Sequence, residues 1–89
     1  MPQRSLTLVN KLGLHARAAA VFVKKAAAFD CEVSVAHNGK NVSGKSIMGM
    51  MMLAAARGST IDVHTSGPEA EAALDELDAL VRDRFGEDE

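Results

Sequence analysis

The chain has 89 residues, 47% of them apolar, which allows one domain (residues 1–89) with a modest core. Its only aromatic residues are three Phe, too few for base-stacking platforms. No apolar run reaches the length of a membrane span, and the single cysteine, Cys31, excludes an internal disulfide. The net charge of −2 hides a division: residues 1–60 carry eight Lys/Arg against two Asp/Glu (+6), and residues 61–89 carry two against ten (−8).

A free cysteine fits a reducing, cytoplasmic setting, and "MPQRSLTL" lacks the apolar stretch of a signal peptide. The basic body suggests a surface that attracts acidic partners or phosphates. The acidic end then either faces away from them or is simply a solvated helix face.

"SLTLV" (Ser5–Val9) alternates polar and apolar residues, with Leu6 and Leu8 on one side, and reads as a strand. "NKLG" breaks it. From His15 to about Ala28, Ala19, Phe22, Val23, Ala26 and Phe29 recur at helical spacing, with Lys24 and Lys25 on or near the wet side. "CEVSVA" (Cys31–Ala36) alternates again, with Val33 and Val35 inward. Asn38-Gly39 then signals a tight hairpin, and "KNVSG" is its returning strand.

"SIMGMMMLAAA" (Ser46–Ala56) reads as a short helix N-capped by Ser46 and closed by Gly58. "STIDVHT" (Ser59–Thr65) is a fourth strand with Ile61 and Val63 buried. Ser66 and Glu69 have capping-box spacing, with Pro68 in the first turn of a last helix. Its stripe is Ala70, Ala73, Leu74, Leu77, Leu80 and Val81, and Gly86 is its terminator. The order β-α-β-β-α-β-α implies a two-layer α+β sandwich with three helices on one face of the sheet. Strand order stays open on this pattern alone.

"GKNVSGKS" (Gly39–Ser46) matches the phosphate-loop pattern G-x-x-x-x-G-K-[ST]. The match fails as physics, because Gly39 belongs to a hairpin turn and Asn41–Ser43 are needed as extended strand. A ladder cannot also curl into an anion nest. Ser46 nevertheless sits at a helix start beside Lys45, a position that welcomes negative charge, and so is a credible phosphorylation acceptor.

"GLHARAAA" (Gly13–Ala20) puts His15 at the start of the first helix, with Arg17 two residues on. The unpaired amides of Ala16, Arg17 and Ala18 point toward whatever the imidazole carries, and the positive helix end disfavours an imidazolium. A neutral ring is a nucleophile. If it takes a phosphoryl group, those amides and Arg17 bind the oxygens. The alternative is a histidine that merely caps the helix while Arg17 is solvated. His37 falls in the hairpin turn and His64 on an outward strand position. Three scattered His and one Cys lack zinc-ligand spacing, so neither a metal nor a cofactor is expected.

At "GLHAR" and "GKSIMGMMML" the sequence resembles HPr, the phosphocarrier family of the bacterial phosphoenolpyruvate-dependent phosphotransferase system. The similarity runs from "SLTLVNKLGLHARAAAVFVKKA" through "GSTIDVHTSGPEAEAALDEL". It implies an open-faced β-sandwich, a four-stranded antiparallel sheet of order 1-4-2-3 with three helices on one face. It implies phosphorylation of His15 on Nδ1 by phospho-enzyme I, transfer to a histidine of an EIIA-type acceptor, and assistance by Arg17. Ser46 becomes the regulatory target of an HPr kinase/phosphorylase. The docking surface becomes Ala16, Ala20, Lys24, Lys45, Ile47, Met48 and Met51.

Met48, Met50, Met51 and Met52 cannot all face a core, so some are surface, where flexible thioethers suit several partners. Ala18 stands where many members have Pro, a change expected to loosen the site slightly without touching the chemistry. The expected molecule is a monomeric carrier, not an enzyme, that binds no nucleic acid and does not enter the membrane. Arg17, Lys24, Lys25 and Lys45 are expected to steer it toward acidic partners. A nitrogen-related carrier of the same family, and a split β-α-β nucleic-acid module, are the alternative readings.

Overall fold

The computed structural model describes residues 2–86. Its elements are β1 (Gln3–Thr7), α1 (Ala16–Ala27), β2 (Glu32–His37), β3 (Lys40–Ser43), α2 (Ile47–Met52), β4 (Thr60–Ser66), α3 (Ala70–Arg82) and a closing 3₁₀ turn (Arg84–Gly86). The sheet is antiparallel throughout, in the order β1-β4-β2-β3. Period-two alternation explains why one sheet face is covered: Leu6 on β1, Val33 and Val35 on β2, and Ile61 and Val63 on β4 are buried. Against them pack Ala18, Ala19, Phe22 and Ala26 of α1, Met50 of α2, and Ala73, Leu74, Leu77 and Val81 of α3. The β2–β3 hairpin turns on Asn38 (φ 51°) and Gly39 (φ 85°), the paired positive angles a two-residue turn needs.

Several element ends differ from the sequence expectation, each for a tertiary reason. β1 lies two residues earlier than Ser5–Val9 because its partner β4 sets the register, pairing Gln3 with His64 and Thr7 with Thr60. Leu8 stays buried through backbone bonds to Ser59 and Gly58. α2 ends at Met52 and not at Ala56: Leu53 is its C-cap and Ala54 turns to φ 51°. That turn frees the Ala55 carbonyl to accept from the Leu14 amide (2.9 Å), a bond a longer helix would forfeit. Gly58 therefore belongs to the loop entering β4 and does not close α2.

The capping box does not form. Ser66 is the last residue of β4, and Glu69 stands at the N-cap of α3 with no side-chain bond to the helix. Glu69 Oε1 instead accepts from the Asp30 amide (2.7 Å), tying α3 to the segment after α1. α3 stops at Arg82, before Gly86, and the chain turns through positive φ at Arg84 and Phe85 to bury the Phe85 ring.

Candidate functional site

Where the β1–α1 loop meets the loop after α2, the chain sets up the start of α1. Gly13 has φ 64°, and a Cβ there would lie 2.6 Å from the Ala55 carbonyl oxygen, so the close approach of the two loops requires glycine. Asn10 Nδ2 donates to the Gly13 carbonyl (2.7 Å), and Leu14 is buried behind the turn. These contacts fix the backbone on which His15 stands.

His15 is the N-cap residue of α1, extended at φ −89° and ψ −179°, and half-buried. Its carbonyl accepts the first helical bond, from Ala19 N (2.8 Å), so the amides of Ala16, Arg17 and Ala18 have no carbonyl one turn back. The imidazole makes no capping bond to the helix, which sets aside the reading of His15 as a structural cap. Those amides are left for an outside acceptor. Arg17 is exposed, and among the described residues its guanidinium makes no hydrogen bond or ion pair.

The docking residues expected from the sequence fall on two packed helices. On α1, Ala16, Ala20 and Lys24 lie four residues apart on one face, Ala16 and Lys24 exposed and Ala20 half-buried. On α2, Ile47, Met48 and Met51 are exposed, while Met50 is fully buried. Lys45 is exposed, but its Nζ donates to the Phe29 carbonyl (3.1 Å), beyond the C-terminal end of α1. α1 has 12 residues and so spans about 18 Å, which puts Lys45 at the far end of this surface from His15. Lys25 pairs with Glu76 of α3 (3.5 Å) in an ion pair open to solvent.

Ser46 is the N-cap of α2 as expected, and its Oγ accepts from the Gly49 amide (3.0 Å). The end of α2 lies beside the Gly13 loop, so Ser46 sits at the end of α2 remote from His15.

Sequence reasoning missed three features. Leu12 and Met52 are two-thirds exposed apolar residues, Leu12 on the loop before His15 and Met52 beside Met51. Asp78 is a buried carboxylate that accepts from Arg4 Nη1 (2.9 Å) and Arg82 Nε (2.8 Å). Its place on the apolar stripe, four residues after Leu74 and three before Val81, was the available signal. His37 is the last residue of β2 and not a turn residue, with Nδ1 3.0 Å from the Thr60 carbonyl oxygen. Gly39 to Ser46 runs turn, strand, turn, and does not form a phosphate loop. Among the described residues no helix is long and apolar enough to cross a membrane, and no three His, Cys, Asp or Glu side chains gather.

A four-stranded open sheet with three helices on one face and a histidine heading the first helix defines the class of fold: an open-faced β-sandwich. A family model described as "PTS HPr component phosphorylation site" matches residues 2–83. The chain is 52% identical to the phosphocarrier protein HPr of Cupriavidus necator and 49% to that of Pseudomonas aeruginosa, each over the whole of both chains. The crystal structure of HPr-C-His from Thermoanaerobacter tengcongensis superposes with a TM-score of 0.95 at 37% identity, again covering all of both chains. The chain belongs to the HPr family of phosphocarrier proteins of the phosphotransferase system.

Proposed function

We propose that this carrier takes its phosphoryl group on Nδ1 of His15 from phospho-enzyme I and delivers it to a histidine of an EIIA-type acceptor. The Nδ1 lone pair attacks phosphorus as the donor's P–N bond breaks, and the same step runs in reverse geometry at the acceptor. The chain has no need of a base or metal, since docking aligns the two imidazoles in line across the transferring group. The amides of Ala16, Arg17 and Ala18 and the Arg17 guanidinium receive the charged oxygens, each such bond worth roughly 1.5–3 kcal/mol. The partners dock over Ala16, Ala20, Lys24, Ile47, Met48 and Met51, with Lys45 at the rim, and the cytoplasm is the setting.

The observation that supports this reading is His15 at the N-cap of α1 above three amides its own ring does not cap. Incubation with phosphoenolpyruvate and enzyme I is expected to give an acid-labile phosphate on the wild type and none on His15→Ala. Equal labelling of the variant would overturn the assignment.

Ser46 is the regulatory acceptor for an HPr kinase/phosphorylase, and the intact "GKSIMG" segment supports the sugar branch of the family. Phosphate on Ser46 adds about −1.5 to −2 charges at the rim of the docking surface. It repels acidic partners and leaves the chemistry at His15 itself unchanged.

A further inference from the structure

The four methionines of α2 are divided by the helix period. Met48, Met51 and Met52 stand at i, i+3 and i+4 and share one face. They are 76%, 45% and 64% exposed, whereas Met50 points the other way and is 0% exposed. The same six-residue helix thus carries three solvent-facing thioethers and one sealed in the core.

We propose that Met48, Met51 and Met52 form an oxidation site through which peroxides switch off docking reversibly; this rests on the docking reading above. The thioether sulfur gives an electron pair to one peroxide oxygen. The O–O bond breaks, an S–O bond forms, and the other oxygen leaves as water. Sulfur is oxidised by two electrons and the peroxide reduced by two. Each sulfoxide puts a strong acceptor on a surface that otherwise offers apolar area, and docking then buries a polar group with no donor prepared for it. The fold is spared, because the one methionine of α2 that packs against the sheet is shielded. Ile47, exposed beside them, cannot be oxidised and keeps part of the apolar surface.

The test uses the full chain treated with hydrogen peroxide. Peptide mass spectrometry is expected to find one added oxygen on each of Met48, Met51 and Met52 well before Met50, with an unchanged melting temperature. The kcat/KM for phosphoryl transfer from phospho-enzyme I is expected to fall by about tenfold or more. Treatment with the two stereospecific methionine sulfoxide reductases is expected to restore it, which damage at His15 would not allow. Oxidation of Met50 as fast as the others, an unchanged kcat/KM, or a loss the reductases do not reverse overturns the proposal. An Ile47→Ala variant separates this from the docking reading. If Ile47→Ala weakens transfer and oxidation does not, only the oxidation switch is wrong; if neither matters, the docking surface itself is misplaced.

Discussion

His15 owes its position to residues that never touch a phosphate. Gly13 allows the loop to press against Ala55 and Ala56 at a positive φ. A Gly13→Ala substitution meets both the left-handed penalty, about 1–2 kcal/mol, and a collision with the Ala55 carbonyl. It is expected to lower stability by at least that much in urea denaturation and to slow phosphorylation of His15. Cys31 shows the opposite, a reactive group made inert. Burial pushes its thiol up from the ordinary value, with Glu69 and Asp30 adding to the effect and Lys45 opposing it. A raised folded-state value means stability that is fully present below the ordinary thiol pKa of about 8.5 and lost as pH rises through the folded value. Native protein is expected to resist iodoacetamide at neutral pH and react once unfolded. Part of its alkaline loss of stability is expected to vanish in Cys31→Ala.

At the level of elements, α2 is the least self-sufficient: six residues with a glycine among them, far below the length at which a helix stands alone. The Ser46 cap and the burial of Met50 hold it. Ser46→Ala removes the bond to the Gly49 amide and is expected to cost about 1 kcal/mol in thermal or urea unfolding. Ser46→Asp keeps an acceptor at a helix N-terminus and is expected to melt at the same or a higher temperature while transferring phosphate more slowly. Unfolding of the Asp variant would refute regulation by charge alone. The edge strand β1 has its own fastening, since Arg4 bridges to Asp75 and Asp78 of α3. The acidic helix is therefore more than a solvated face: Asp78, placed on its apolar stripe, anchors two arginines.

Across the whole molecule the basic block is divided between residues that pair with the acidic helix and residues that face solvent. Arg17 and Lys24 project from α1, while Lys25, Arg4 and Arg82 are taken up by the carboxylates of α3. The surface around His15 thus keeps cations that are not internally neutralised, and steering by them is screened within a Debye length of about 8–10 Å. On the proposed reading that the phosphoryl donor presents an acidic face, transfer is expected to slow by roughly tenfold between low and high salt in stopped-flow measurements. Lys24→Glu is expected to reduce the rate and flatten that dependence. A rate indifferent to salt would show that apolar contact alone guides docking.

Periodicity and local chemistry are properties of short segments, which is why the strands, the Asn38-Gly39 hairpin, the Ser46 cap and His15 at the head of α1 were all legible from the residues. Strand order was not, since β1 meets β4 across more than fifty residues of chain; only the resemblance to a family supplied it. The true end of α2, the diversion of Glu69 to Asp30 and the burial of Asp78 were equally hidden. Each depends on a partner distant in sequence that outbids the local preference. The exposure of Leu12 and Met52 was hidden for the same reason, because which side of a segment meets water is decided by what packs against the other side.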